Sequence, residues 1–140
     1  MKKIMLIGET GSGKTTLKQA LNNEKIRYKK TQSLEYSKNI LDTPGEYIEN
    51  RRYYNALMIS SVDYDIIGLV QDCTSEKVVF PPNFTSIFNK KSIGIITKVD
   101  CYNADVKIAE KYLKQAGVED IFYVNSINGK GIEDIRRLLQ

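Results

Sequence analysis

The chain contains no histidine among its 140 residues. That absence removes Ser-His-Asp and Cys-His catalysis, together with every histidine-ligated metal site. Phosphoryl chemistry survives, because it rests on positioning, Mg²⁺ and fixed positive charge. The two cysteines, Cys73 and Cys101, are too few for a disulfide framework and fit a reducing cytosol, so no disulfide is expected. No apolar run approaches the length of a membrane span. The run from Ile4 to Ile7 that follows Met1-Lys2-Lys3 is too short for a signal peptide and lacks a cleavage-like tail. A continuous basic stripe interleaved with aromatics is also missing, and the net charge of +4 is modest, so no nucleic-acid partner is expected. With no internal repeat, low-complexity segment or linker, residues 1–140 read as one domain, long enough for a real core.

The chain is organised around Gly8-Glu9-Thr10-Gly11-Ser12-Gly13-Lys14-Thr15, which follows the apolar run and leads into Thr16-Leu17-Lys18-Gln19-Ala20-Leu21. It fits the phosphate-binding pattern G-x-x-x-x-G-K-[ST] in its required context, a strand before and a helix after. Gly8, Gly11 and Gly13 let the backbone turn tightly and bring its N–H groups close to phosphate oxygens. Lys14 supplies a mobile positive charge for the β- and γ-phosphates, the Thr15 hydroxyl is placed to ligate Mg²⁺, and the helix that begins here favours the anion further. The segment from Gly8 through Thr16 is thus the expected nucleotide triphosphate site.

Periodicity lays out the rest of the chain. Strands are expected over Lys2 to Ile7, Asp65 to Val70, Ile93 to Ile96 and Ile121 to Val124, the last read as a core strand, with a short extended segment over Leu34 to Leu41. Helices are expected over Lys14 to Asn22, Tyr47 to Ser61, Asn103 to Ala116 and Gly131 to Leu139, with Gly117 as a stop signal. The polar stretch Asn22 to Gln32 carries Lys25, Arg27, Lys29 and Lys30 and reads as a solvated loop, the alternative being that one of these cations leans over the phosphates. Pro81 and Pro82 argue against a helix between Gln71 and Lys91. Alternating strands and helices predict an α/β fold with a mostly parallel sheet covered by helices on both faces, and a ligand at the strands' C-terminal edge.

Two further motifs fall at that edge. Asp42-Thr43-Pro44-Gly45 ends an apolar strand, so Asp42 supplies a second carboxylate on the Mg²⁺ side, and Gly45 leaves a backbone N–H for the γ-phosphate. Thr97-Lys98-Val99-Asp100 ends another strand. In this order and spacing the chain resembles the Ras-like small GTPases over nearly its whole length, which implies a shortened version of their three-layer P-loop NTPase fold. There, an [NT]-K-x-D segment reads the base. The resemblance implies Thr97, Lys98 and Asp100 at the base, with Asp100 accepting from guanine N1 and N2 while the Lys98 stem covers the ring. A carboxylate in that role rejects adenine, which offers no such donor pair. Thr31 is the best match to the effector-loop threonine that closes on Mg²⁺, with Ser33 the alternative. The family's last base-side motif is represented by Asn125-Ser126-Ile127, so Asn125 and Ser126 join the cofactor-binding set. Glu46 stands after Gly45, where that family usually places the glutamine that orients the attacking water. Lys14, Thr31 and Glu46 are therefore the candidate catalytic residues, and Thr15, Thr31 and Asp42 the candidate metal ligands.

A closer resemblance rests on Asp42-Thr43-Pro44-Gly45-Glu46, Phe80-Pro81-Pro82-Asn83-Phe84 and Thr97-Lys98-Val99-Asp100 in a chain this short. These segments look like the ethanolamine-utilisation and propanediol-utilisation P-loop proteins. The likeness implies a cytosolic protein working with bacterial microcompartments, with a shell or enzyme component as partner. It also raises an acetate-phosphorylating, ATP-using activity. Three readings follow: a GTP-binding switch or slow hydrolase, favoured by Asp100 and Lys98; an ATP-dependent kinase of a small carboxylate; and a nucleotide-binding structural partner that barely turns over. The kinase reading lacks a dedicated carboxylate clamp in the sequence, and no arginine finger is identifiable beyond Arg27, Arg51 and Arg52. Cys73, just past a strand, and Cys101, after Asp100, stand where they could border the nucleotide, but small residues at strand ends are commonly packing choices and no redox or catalytic role is expected of them. Tyr53 and Tyr54 follow the turn where small GTPases recruit partners, and a simple core face explains Tyr54 equally well.

Overall fold

The first apolar run becomes strand β1 (Ile4–Ile7), all four residues of which are buried. It sits in the middle of the sheet in a computed structural model that describes residues 2–22, 35–37 and 39–140. Helix α1 (Lys14–Leu21) follows the glycine-rich loop. Strands β2 (Glu35–Ser37) and β3 (Ile40–Asp42) pair antiparallel. Next come α2 (Glu46–Glu49), α3 (Tyr54–Ser60) and β4 (Ile66–Asp72). The chain then runs through β5 (Lys91–Thr97), α4 (Val106–Ala116), β6 (Asp120–Tyr123) and α5 (Ile132–Leu139). The six-stranded sheet has the order β2-β3-β1-β4-β5-β6. Every pairing except β2 with β3 is parallel.

The alternation of side chains along β1 divides the core in two. Ile4 and Leu6 pack with Leu17 and Leu21 of α1 and with Ile132 and Ile135 of α5. Met5 and Ile7 pack on the opposite face with Leu57 of α3 and with Ala109 and Leu113 of α4. Strands covered on both faces have no solvent side, which is why β1 and β4 read as near-continuous apolar runs. The α/β fold with helices on both faces of a mostly parallel sheet is therefore the fold observed. Leu6 lies opposite Asp42 on one side and Gly68 on the other. This register brings the ends of β1 and β3 level, so the loops that follow them meet.

Most element ends shift by a residue or two, and four features depart further from the sequence expectation. The extended segment before Asp42 is a hairpin of two strands rather than one. The helix expected over Tyr47 to Ser61 breaks at Asn50, whose backbone is extended (φ −122°, ψ 116°) and whose side chain accepts from Arg52 N at 3.1 Å. An asparagine that bonds forward to the backbone competes with helix continuation. The helix expected from Asn103 begins at Val106, because the Asp105 carboxylate accepts from Ile108 N at 3.2 Å and caps it there. Strand β6 is a half-exposed edge strand and not a core strand; only Val124, just past it, is fully buried. Between β4 and β5 the prolines do exclude a long helix. Phe80, Phe84 and Phe88 instead bury that irregular stretch, with Tyr54 edge-on to Phe84 at 5.3 Å between ring centroids.

Candidate functional site

The loop between β1 and α1 carries its own hydrogen bonds. Ser12 N donates to Glu9 O at 3.1 Å, and Lys14 Nζ donates to the same carbonyl at 3.0 Å. Gly13 stands at φ 103°, a left-handed backbone that glycine adopts without a Cβ penalty. Lys14 is 5% exposed. Burial holds its pKa below the ordinary lysine value, while the charges of Asp42, Glu49 and Glu9 pull it back up. A desolvated ammonium facing carboxylates is set up to gain from an incoming anion.

The end of β3 meets this loop. Thr15 Oγ1 donates to Asp42 Oδ2 at 2.6 Å across 27 residues of sequence, and Asp42 is fully buried. Thr43, also buried, donates its hydroxyl to Leu6 O at 2.7 Å. Gly45 lies directly on the loop: a Cβ added there would stand 2.2 Å from Thr10 N and 2.6 Å from Thr10 Cα. Only glycine permits that approach. Helix α2 starts from Gly45, and its last residue, Glu49, accepts from Thr10 N through Oε1 at 2.9 Å. Glu46, the first residue of α2, is exposed.

The end of β5 holds the loop from the other side. Thr97 Oγ1 donates to Ser12 O at 2.6 Å, and Lys98 Nζ donates to Gly11 O at 3.1 Å and to Asp72 Oδ2 at 2.7 Å. Lys98 adopts φ 63°, a left-handed conformation unusual for a side chain with a Cβ. Two residues further on, the exposed Asp100 carboxylate accepts from Lys130 Nζ at 3.1 Å, and from Asn125 Nδ2 and Asn128 Nδ2 at 3.3 Å each. The bonds from Lys130 and Asn128 hold its pKa below the ordinary aspartate range. Asn125 Oδ1 accepts in turn from Ile127 N at 3.1 Å, which shapes the turn.

The structure therefore brings Gly8 to Thr16, Asp42 and Gly45 together, sets Thr97 and Lys98 against the same loop, and places Asp100 with Asn125 beyond them. Ser126 lies beside Asn125, with its hydroxyl buried and without a partner among the described residues. Thr31, Ser33 and the cations Lys25, Arg27, Lys29 and Lys30 lie outside the described residues. Cys73 is buried and donates Sγ–H to Thr97 O at 3.0 Å. Burial, with help from the Asp72 charge, pushes its pKa up to about 11; it is a packing residue below the site. Cys101 is exposed, and both thiols are free. Arg52 lies over the Tyr53 ring at 4.8 Å, and Tyr53 stacks on Tyr47, so Arg52 is committed to that stack. Four residues with a part in this geometry were not singled out from sequence: Glu49, Asp72, Asn128 and Lys130. Of these, only Asn128 and Lys130 left a signal, in the turn-forming run Asn128-Gly129-Lys130-Gly131.

A family model described as ethanolamine utilisation - propanediol utilisation (PduV-EutP) matches residues 1–140. The chain belongs to this family. Propanediol utilization protein PduV of Citrobacter freundii is 39% identical over 136 residues, covering 96% of this chain and 91% of that one. The protein named "Probable acetate kinase EutP" of Escherichia coli (strain K12) is 34% identical over 138 residues, covering 96% and 87%. Its namesake in Salmonella typhimurium is 31% identical over 141 residues, covering 99% and 87%. Membership associates this PduV-EutP protein with ethanolamine or propanediol utilisation and agrees with the resemblance drawn from its motifs. No helix among the described residues is long and apolar enough to cross a membrane.

Proposed function

We propose that this protein is a Mg²⁺-dependent nucleoside triphosphate binding protein that takes GTP and hydrolyses it slowly. On this reading it serves ethanolamine or propanediol utilisation in the cytoplasm, beside a bacterial microcompartment. The observation that carries the reading is the 2.6 Å bond between Thr15 Oγ1 and Asp42 Oδ2, a hydroxyl and a carboxylate held together at the mouth of a glycine-rich loop. Both are hard oxygen donors of the kind Mg²⁺ takes. Among the described residues no group of three His, Cys, Asp or Glu side chains could hold a metal, so phosphate oxygens and water would complete the shell. The residues fit the group. Bound there, Mg²⁺ would neutralise charge on the β- and γ-phosphates.

In this proposal the backbone from Gly8 to Thr16 cradles the phosphates, Lys14 meets the β- and γ-oxygens, Gly45 N–H faces the γ-phosphate and Thr31 closes over the metal. Glu46 orients the water. Asp100 reads guanine, with Thr97, Lys98, Asn125 and Ser126 around it. A second reading, an ATP-dependent acetate kinase, is favoured by the name of the EutP relatives. The Asp100 carboxylate already receives Lys130, Asn125 and Asn128, so reading guanine would require it to exchange some of these bonds for the base. Calorimetric titration with GTP and with ATP, each with Mg²⁺, separates the two. Tight GTP and weak ATP binding is expected; equal affinity, with phosphate transfer from ATP to acetate, would overturn the GTP reading.

A further inference from the structure

We propose that Glu49 is a specificity-determining residue of this site, a built-in carboxylate that weighs against the terminal phosphate and so favours a nucleoside diphosphate over its triphosphate. This rests on the reading of Gly8 to Thr16 as the nucleotide site. Backbone N–H groups of such a loop are the groups that receive anions, and the structure gives one of them an anion already. Thr10 N donates to Glu49 Oε1 at 2.9 Å from 39 residues away. The contact is not a swinging surface accident, because α2 is seated on the loop at its other end too, where Gly45 leaves no room for a Cβ against Thr10.

The placement points to the γ-phosphate. Lys14 is directed toward the β- and γ-phosphates, Gly45 is the residue proposed above to face the γ-phosphate, and Glu49 lies against the same Thr10 that Gly45 covers. The field of Glu49 also reaches the Lys14 ammonium. An ionised carboxylate only accepts hydrogen bonds, as a phosphate oxygen does, so the two compete for one N–H and one cation and repel each other. A diphosphate lacks the group that would meet Glu49. Specificity of this kind comes from a repulsive element as much as from an attractive one. Triphosphate capture then requires α2 to withdraw its carboxylate from the loop.

The test uses the full chain as Glu49→Gln and Glu49→Ala, both expected to fold because Glu49 is exposed. GDP, GTP, ADP and ATP are titrated calorimetrically with Mg²⁺ into each variant and the parent. Both variants should shift the triphosphate-to-diphosphate affinity ratio about tenfold toward the triphosphate, as expected for losing one partly screened like-charge contact. Diphosphate affinity should stay nearly unchanged. A ligand-free readout accompanies it: the Thr10 amide should exchange with solvent faster in Glu49→Ala than in the parent. An unchanged ratio in both variants, or equal Thr10 exchange, overturns this proposal alone. Failure of all four nucleotides to bind the parent and both variants overturns the nucleotide reading, and this proposal with it.

Discussion

The two ends of the candidate site are built in opposite ways. The end proposed for the phosphates is largely buried and packed to contact: Ser12 and Asp42 are fully buried and Lys14 nearly so, Thr97 and Lys98 bond the loop's own carbonyls, and Gly45 touches the loop with no side chain between. The base end is exposed and held by side chains, with the Asp100 carboxylate 38% and the Lys130 side chain 60% exposed in the ion pair that closes it. Backbone packed to contact cannot be retuned without moving the sheet. Charged side chains in water can be exchanged one at a time, and each such exposed pair contributes only about 0–1 kcal/mol. On the proposed reading, the packed end would commit the fold to phosphate, whereas the exposed end would leave the choice of base adjustable.

The comparison breaks most sharply at Lys14. Lys14→Ala should lower triphosphate affinity about a hundredfold, since hydrogen bonds to charged groups contribute about 1.5–3 kcal/mol each. The nucleotide-free variant should still fold, because burial disfavours the charged lysine and so offsets part of what its loss costs Glu9 O and the buried Asp42. Retained affinity, read by calorimetry, would refute the assignment of the loop. At the base end, Asp100→Asn should weaken GTP and strengthen xanthosine triphosphate by only several-fold, about 1 kcal/mol per exchanged hydrogen bond. A change as large as that at Lys14 would mean that the two ends are not so unlike.

A smaller effect is expected on rate. Ionised Glu46 can hold a water but brings negative charge toward the phosphates. Single-turnover hydrolysis of GTP by the isolated protein should lie at or below roughly 10⁻⁴ to 10⁻³ s⁻¹, with Glu46→Gln somewhat faster. Turnover near that of a partner-activated enzyme would reveal a cation or base elsewhere in the site. The smallest effect concerns acid. The folded pKa of Asp100 is lowered by its bonds from Lys130 and Asn128, so its contribution to loop order is present above the ordinary aspartate pKa of about 4. That contribution is lost as pH falls through the folded value. Amide exchange in residues 125–130 should quicken there while exchange in β1 stays slow.

The difference between the ends also explains what could be read from the chain. Gly8, Lys14, Thr15, Asp42 and Gly45 were legible because a backbone cradle needs particular residue types at fixed spacing, and β1 because a strand covered on both faces needs an unbroken apolar run. Glu49 was not. Its contact with Thr10 depends on where α2 ends, and that end is set by Asn50, whose extended backbone interrupts a stretch with helical periodicity throughout. Lys130 and Asn128 were hidden for a related reason: meeting Asp100 requires the register between β5 and β6, which no local pattern states. Asp72 is a carboxylate at a strand end like Asp42, but it lies outside any recognised motif, and its carboxylate is held by Thr74 on one oxygen and Lys98 on the other.

Lys98 answers to two demands that pull toward different residues. Its left-handed backbone, φ 63°, costs a side chain with a Cβ about 1–2 kcal/mol and suits glycine or asparagine. Its ammonium reaches Gly11 O and Asp72 Oδ2, which neither of those residues could do. Position 98 is thus a compromise, with a local backbone penalty accepted for a contact made 87 residues away.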